Sequence, residues 1–263
     1  LPKMPIVVEM ANNTGENLNT WLVRQAVKTN CLFNCASESI REMFIRAYPE
    51  IELRSRTRVI PCSFIDYSNV QFESEKIRQK QIVFMGRFEE IKNPFFFLEI
   101  IELLAKQRND FRVSILGTGT LEQSMRAWVQ ERRLSEIIKI SYSINPFEVL
   151  TESLIYFSAY QHDNYHSQAL LEAMASGCAI LASDIGETRK VVDENCGFLT
   201  HDNPEEIVRQ LNFLLDHEDI AKMMGENAKR KVMREQTFER YSANLMDIYH
   251  DCLEFYNSGL RKL

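Results

Sequence analysis

From Gln81 onward, short apolar runs alternate with longer stretches in which apolar residues return every three or four positions. Ile82 to Met85, Phe111 to Leu116, Ile137 to Ser141, Leu154 to Ser158 and Ala179 to Ala182 read as strands, too short for helices and bounded by glycine or polar residues. Between them, Pro94 to about Gln107, Leu121 to Arg132, a brief piece from Pro146 to Leu150, and Gln168 to Ser176 read as helices. Pro94 stands where a first helical turn tolerates proline. Gly197 to Leu199 is predicted as a last, edge strand. This alternation, with short loops, implies an α/β fold: a doubly wound parallel sheet covered by helices on both faces.

The first sixty residues repeat the rhythm more thinly. Ile6 to Glu9 and Cys31 to Ala36 are predicted strands, and Leu18 to Thr29 has helical spacing. Ser37 is a candidate N-cap for a helix over Ser39 to Ala47 that Pro49 stops, and Arg58 to Pro61 is another brief strand. That is too little for a complete α/β domain and reads as the tail of one. The start on Leu1, without an initiator methionine, fits a piece of a longer protein. Asp66 to Lys80 is polar and reads as a connection. After the regular region come predicted helices over Pro204 to Leu215, Ile220 to about Arg234, and Thr237 to Tyr256. The last carries a stripe of Phe238, Tyr241, Leu245, Ile248, Tyr249 and Cys252, expected to pack as core. The expected domains are therefore 1–66, a remnant with its linker, and 67–263, which includes the closing helix.

Composition narrows the function classes. Hydrophobic residues make up 45% and charged residues 26%, ordinary for a soluble globular chain. A net charge of −6 gives no whole-molecule case for nucleic acid, and none is expected as a partner. No apolar run approaches the roughly 20 residues that span a bilayer. The six cysteines form no metal-binding spacing, which points to buried, reduced thiols and a cytoplasmic setting.

Candidate chemistry sits in loops that follow strands, where open α/β sheets bind ligands. Gly86, Arg87 and Phe88 follow the first regular strand, with Lys92 five residues beyond Arg87. A fork-shaped cation beside a point charge suits a diphosphate, while Glu89 and Glu90 would equally pair with both as solvated loop charges. Gly117 and Gly119 begin a G-x-G-x-x-G pattern whose third glycine position is Glu122. A nicotinamide enzyme is therefore not indicated, and the glycines read as a tight strand-to-helix turn.

The densest stretch runs from Tyr160 to Val192. A polar loop reaches Ser167, a helix over Gln168 to Ser176 ends at Gly177, and a second polar loop carries Asp184, Gly186, Glu187 and Arg189. Ser167 or Asn164 is the candidate N-cap, and the amides behind it would form an anion site. Glu172 shares a helix side with Ala169, Ala173 and Ser176, small residues that leave room for a ligand against the carboxylate. At the rim of the sheet the same glutamate would be a surface charge. No G-x-S-x-G elbow, histidine motif or DxD triplet is present, so neither a protein nucleophile nor a metal is expected.

GRFEEIKNP, ILGTGTLEQ, HDNYHSQALLEAMASGCAILASDIGETRKVV and the closing helix together resemble the donor half of glycosyltransferase family 4. The resemblance covers about Arg58 to Tyr256, and Ile6 to Tyr48 is similar to the end of that family's acceptor-side domain. It implies two Rossmann-like domains facing a cleft, the arrangement called GT-B, and a UDP- or GDP-sugar transferred with retention and without metal. The acceptor would be a growing polysaccharide or a glycolipid, with peripheral membrane contact through the N-terminal part. Arg87 and Lys92 match the pair that neutralises the diphosphate, with Gly86 and Gly117 at the same strand ends. Glu172 matches the second glutamate of the E-x7-E motif, which holds the ribose hydroxyls. Amides around Ser167, Gln168 and Ala169 would face the phosphates. The stretch by itself is expected to bind donor without turning it over.

The chain departs from this pattern eight residues before Glu172, where the motif's first glutamate is replaced by Asn164. The residues that follow are Tyr165, His166 and Ser167 in place of a glycine-rich run. An amide still hydrogen-bonds a sugar hydroxyl but supplies no negative charge to an oxocarbenium-like centre. Asp163 is the neighbouring substitute. Active divergence and an inactive nucleotide-sugar-binding module are the two readings of this change.

Overall fold

The computed structural model describes residues 5–10, 21–29, 31–49, 52–61, 66, 77–161 and 167–260. The chain divides into two compact units, one of residues 1–64 with 236–263 and one of residues 65–235.

In the second unit the strands are β4 (Gln79–Met85), β5 (Arg112–Leu116), β6 (Ile138–Ser141), β7 (Ser153–Ser158), β8 (Ala179–Ser183) and β9 (Gly197–Thr200). Their order across the sheet is β6-β5-β4-β7-β8-β9, all parallel. Alternation along each strand divides the core. Ile82 and Phe84 of β4, with Ile155 and Phe157 of β7, face one side, while Val83 and Tyr156 face the other. Helices α3 (Pro94–Ala105), α4 (Glu122–Glu131) and α8 (Pro204–Asp216) cover the first side. Helices α5 (Phe147–Leu150), α6 (Gln168–Ala175) and α7 (Thr188–Val191) cover the second. Helix α9 (Glu218–Glu235) contributes Ala221 and Met224 to one side and Ala228 and Val232 to the other. The sheet is therefore doubly wound and Rossmann-like, as its alternating pattern predicts.

The strand order sets the position of the site. Sequence runs outward from β4 through β5 to β6, then returns to β4's other flank at β7. The loops after β4 and β7 consequently diverge to opposite faces and leave a crevice between them.

The first unit has a parallel three-stranded sheet of β1 (Val7–Met10), β2 (Leu32–Cys35) and β3 (Thr57–Val59), with helices α1 (Trp21–Ala26) and α2 (Glu38–Ala47). Ser37 caps α2, its Oγ accepting from the Ile40 amide at 3.1 Å. Buried Asn34 ties the strand ends together: its amide donates to Glu9 at 2.8 Å, and its carbonyl accepts from the Ile60 amide at 2.9 Å. The long helix α10 (Phe238–Leu260) falls in this first compact unit. Its Ile248 and Cys252 pack with Leu32 and Ile60, and Asp251 accepts from Arg58 Nε at 3.0 Å. The stripe is rotated from the one expected. Tyr241, Leu245 and Phe255 join the buried pair, while Phe238 and Tyr249 are exposed. Periodicity identifies an apolar side but not the sheet it meets.

Among the described residues Cys31, Cys35, Cys178, Cys196 and Cys252 are free and buried. No helix among them is long and apolar enough to cross a membrane.

Candidate functional site

The loop after β4 is built against the loop after β5. Gly86 donates its amide to the Leu116 carbonyl (3.0 Å), Phe88 to Thr118 (2.9 Å), and Leu121 to Phe88 (3.0 Å), extending the strand pairing beyond the sheet edge. Both glycines of the second loop are there for this contact. A Cβ on Gly117 would stand 1.9 Å from the Gly86 carbonyl oxygen, and one on Gly119 would stand 2.5 Å from that of Phe88. The Glu122 carboxylate accepts from Thr118 Oγ1 at 3.0 Å and from Arg126 at 2.8 Å, so it serves the start of α4.

Beyond Phe88 the chain makes one 3-10 turn over Glu90–Lys92, closed by Asn93 in the left-handed region (φ 52°) before Pro94 opens α3. The turn brings Lys92 over the end of β7, with its Nζ 4.3 Å from the centre of the Tyr160 ring. Burial lowers the ammonium from its ordinary value to about 8, helped by the Arg87 charge and opposed by Glu89. Arg87 itself reaches outward: its side chain is 72% exposed and pairs with Glu89 at 3.0 Å.

Tyr160 is buried, and its hydroxyl lies 2.8 Å from Ser167 Oγ. Ser167 caps α6, accepting from the Leu170 amide at 3.3 Å. A helix leaves its first amides without intrahelical acceptors and carries partial positive charge there, so the start of α6 is suited to an anion. Tyr156 and Ser158 also lie within hydrogen-bonding reach of Tyr160. Tyr156 in turn donates to the Met85 carbonyl at 3.4 Å, just before the Gly86 loop.

Just over one turn into α6, Glu172 is half-buried and accepts from Gln168 Nε2 at 3.2 Å. Burial raises its carboxyl above the usual carboxylate range, against the Gln168 hydrogen bond. Its charge reaches back to Tyr156 on β7, the strand that leads to Tyr160. The expected room beside it is partly taken: Ala173 and Ser176 are buried, and only Gln168, Ala169 and Glu172 on that part of the helix retain solvent contact. The small residues serve packing, because α9 crosses α6 so closely that a Cβ on Gly225 would meet the Gly177 carbonyl at 1.9 Å.

Lys92, Ser167 and the start of α6 thus converge at the β4–β7 crevice, with Glu172 behind and Arg87 at the rim. Asp163, Asn164, Tyr165 and His166 lie outside the described residues. The second polar loop contains one turn of helix, α7, that the sequence reading lacks. Its charges are satisfied locally, Arg189 Nε by Asp184 at 3.1 Å and Lys190 by Glu187 at 2.7 Å. Tyr160 is the site residue that sequence reasoning overlooks. Its one visible signal is a hydroxyl-bearing ring two residues beyond the end of β7.

The family model for glycosyl transferases group 1 matches residues 68–231, more than half of the chain. A Campylobacter jejuni protein, N-acetylgalactosamine-N,N'-diacetylbacillosaminyl-diphospho-undecaprenol 4-alpha-N-acetylgalactosaminyltransferase, is 23% identical over 86% of this chain and 62% of its own length. Spore coat protein SA of Bacillus subtilis is 20% identical over 65% of this chain and 48% of its own length. The chain thus spans about half to three-fifths of these relatives. Among solved structures, Anabaena Alr3699/HepE in complex with UDP superposes with a TM-score of 0.81 at 13% identity, covering 94% of this chain and 72% of that one. With the matched region spanning the whole parallel sheet and both loops of the crevice, the chain belongs to the family of glycosyl transferases group 1.

Proposed function

We propose that residues 65–235 bind the nucleotide-diphosphate sugar of a retaining, metal-independent glycosyltransferase. The donor is a UDP- or GDP-sugar and the acceptor a growing polysaccharide or glycolipid. The observation that carries this reading is the convergence of a desolvated ammonium, Lys92, and a serine-capped helix start, Ser167, from the two sides of the β4–β7 crevice. Both favour an anion, and a diphosphate between them would also lie within reach of Arg87 at the rim. Glu172, deeper along α6, then takes the ribose hydroxyls.

On this reading the chemistry is electrostatic. The departing diphosphate gathers negative charge, and cations and helix amides already oriented toward it stabilise that charge without reorganising. Asn164 holds a sugar hydroxyl. The C. jejuni relative is named for transfer to a diphospho-undecaprenol-linked sugar, which supports a lipid-linked acceptor; a peripheral place at the inner face of a membrane is part of the same proposal. The Anabaena structure holds UDP, which supports that nucleotide.

The test is sugar transfer or donor hydrolysis by the full-length protein across UDP- and GDP-sugars with lipid-linked acceptors. Turnover is expected. Saturable nucleotide binding with no turnover on any pair would favour the second reading, an inactive nucleotide-sugar-binding or scaffolding module, which Asn164 motivates.

A further inference from the structure

We infer that Tyr160 is a positioning residue: its ring carries the Lys92 ammonium and its hydroxyl holds the Ser167 cap, so one side chain sets both anion-binding elements of the crevice. The inference rests on the donor-site reading above and adds to it the part that fixes the geometry.

Three observations support it. The Lys92 Nζ lies 4.3 Å from the Tyr160 ring centre, within the range where an aromatic face stabilises a cation that has lost water. The Tyr160 hydroxyl is buried and 2.8 Å from Ser167 Oγ, the atom that accepts from the Leu170 amide. The same hydroxyl has Tyr156 within reach, and Tyr156 donates to the Met85 carbonyl at 3.4 Å. A continuous path of buried hydroxyls therefore joins the end of β4 to the start of α6. Lys92 and Ser167 come from loops on opposite sides of the crevice, and among the described residues Tyr160 touches both.

A structural filler would bury a ring here but would not tune the charge above it. The charged groups acting on Lys92 among the described residues are Arg87 and Glu89 of its own loop, with the Tyr160 ring beneath from β7. Burial, with the Arg87 charge, holds the ammonium near 8 although the ring face favours its charged form, so it discharges between pH 7 and 9. Nucleotide binding then requires proton uptake at the upper end, and affinity falls as pH rises.

The experiment is calorimetric titration of UDP and of GDP into the wild-type chain, Tyr160→Phe, Tyr160→Leu, Ser167→Ala and the Tyr160→Phe/Ser167→Ala pair, at pH 7 and pH 9. Wild type is expected to lose about tenfold in affinity between the two pH values as Lys92 discharges. Tyr160→Phe keeps the ring and should cost about fivefold at both, with no added loss in the Ser167→Ala background. Tyr160→Leu should cost more at pH 7 and steepen the pH dependence, because the ring face that stabilises the charged Lys92 is lost while its burial remains. Wild-type affinity in both Tyr160 variants, or a loss in Tyr160→Leu with the pH ratio unchanged, would overturn the inference while leaving the donor site standing. Failure of wild type to bind either nucleotide would overturn the donor-site reading and the inference with it. Thermal melts of each variant separate these outcomes from misfolding.

Discussion

The carbonyl oxygen of Gly86 lies where the first side-chain carbon of any residue but glycine at position 117 would have to stand, 1.9 Å away. Gly117 also has φ +151°, outside the ordinary range of side-chain-bearing residues. Gly117→Ala is therefore expected to separate the loops after β4 and β5 and to destabilise the second unit by about 2–4 kcal/mol. Urea denaturation measures this directly, and an unchanged midpoint would contradict the close approach.

Removing the two cations should have unequal effects. Lys92 is held inside the crevice, while Arg87 is largely exposed and shares its charge with Glu89. Lys92→Ala is expected to weaken UDP or GDP binding by roughly thirty- to a hundredfold, and Arg87→Ala by about tenfold. Calorimetry at one ionic strength checks both. Unchanged affinity in both variants refutes a diphosphate at this point.

Lys92 also predicts a pH signature in stability. Its folded value is about 8 against an ordinary 10.5, so between these limits the unfolded chain binds more protons and this residue's contribution to stability rises with pH. Lys92→Met lacks that slope. The difference in melting temperature, variant minus wild type, should be largest near pH 7 and shrink toward pH 10. A constant difference would mean the ammonium is solvated in the folded protein.

Glu172 carries the opposite sign. Burial raises its carboxyl, so the folded state holds the proton more tightly than the unfolded one, and stability from this group is lost as pH rises through the folded value. Glu172→Gln should melt higher than wild type at pH 7, with the advantage vanishing toward pH 4. The same variant should bind UDP about tenfold more weakly and 2′,3′-dideoxy-UDP no differently. Equal losses for both nucleotides would remove the ribose role.

Helix α10 offers a test of the division into units. Ile248 is 1% exposed and packs with Leu32, Ile60 and Cys252. Ile248→Ala is expected to cost about 2–4 kcal/mol in the first unit and to leave UDP affinity unchanged. Hydrogen exchange should rise in β1, β2 and β3 and not in β4 to β9. Exchange that rises in both sheets equally would deny the division.

Much of the second unit was legible because its signals are local. A five-residue apolar run bounded by glycine can hardly be anything but a buried strand, and Ser167, three residues before the Leu170 amide it caps, is a short-range pattern. The loop holding Arg87 and Lys92 and the helix holding Glu172 follow from that regular alternation. What the sequence conceals is pairing across distance. Lys92 meets Tyr160 only because β7 returns to the flank of β4, and nothing near either residue announces it. Ala173 and Ser176 misled for a similar reason, since small side chains mark both an open site and a tight helix crossing. Gly177 and Gly225, far apart in sequence, decide between the two.

The last helix has a consequence for synthesis. The second unit is one uninterrupted stretch, residues 65–235, whereas the first unit combines 1–64 with 236–263. On a ribosome, the six-stranded sheet has every residue it needs while β1, β2 and β3 still wait for Ile248 and Cys252 to cover Leu32 and Ile60. The second unit is thus able to mature first, and Leu32 and Ile60, translated before it, are covered only after it.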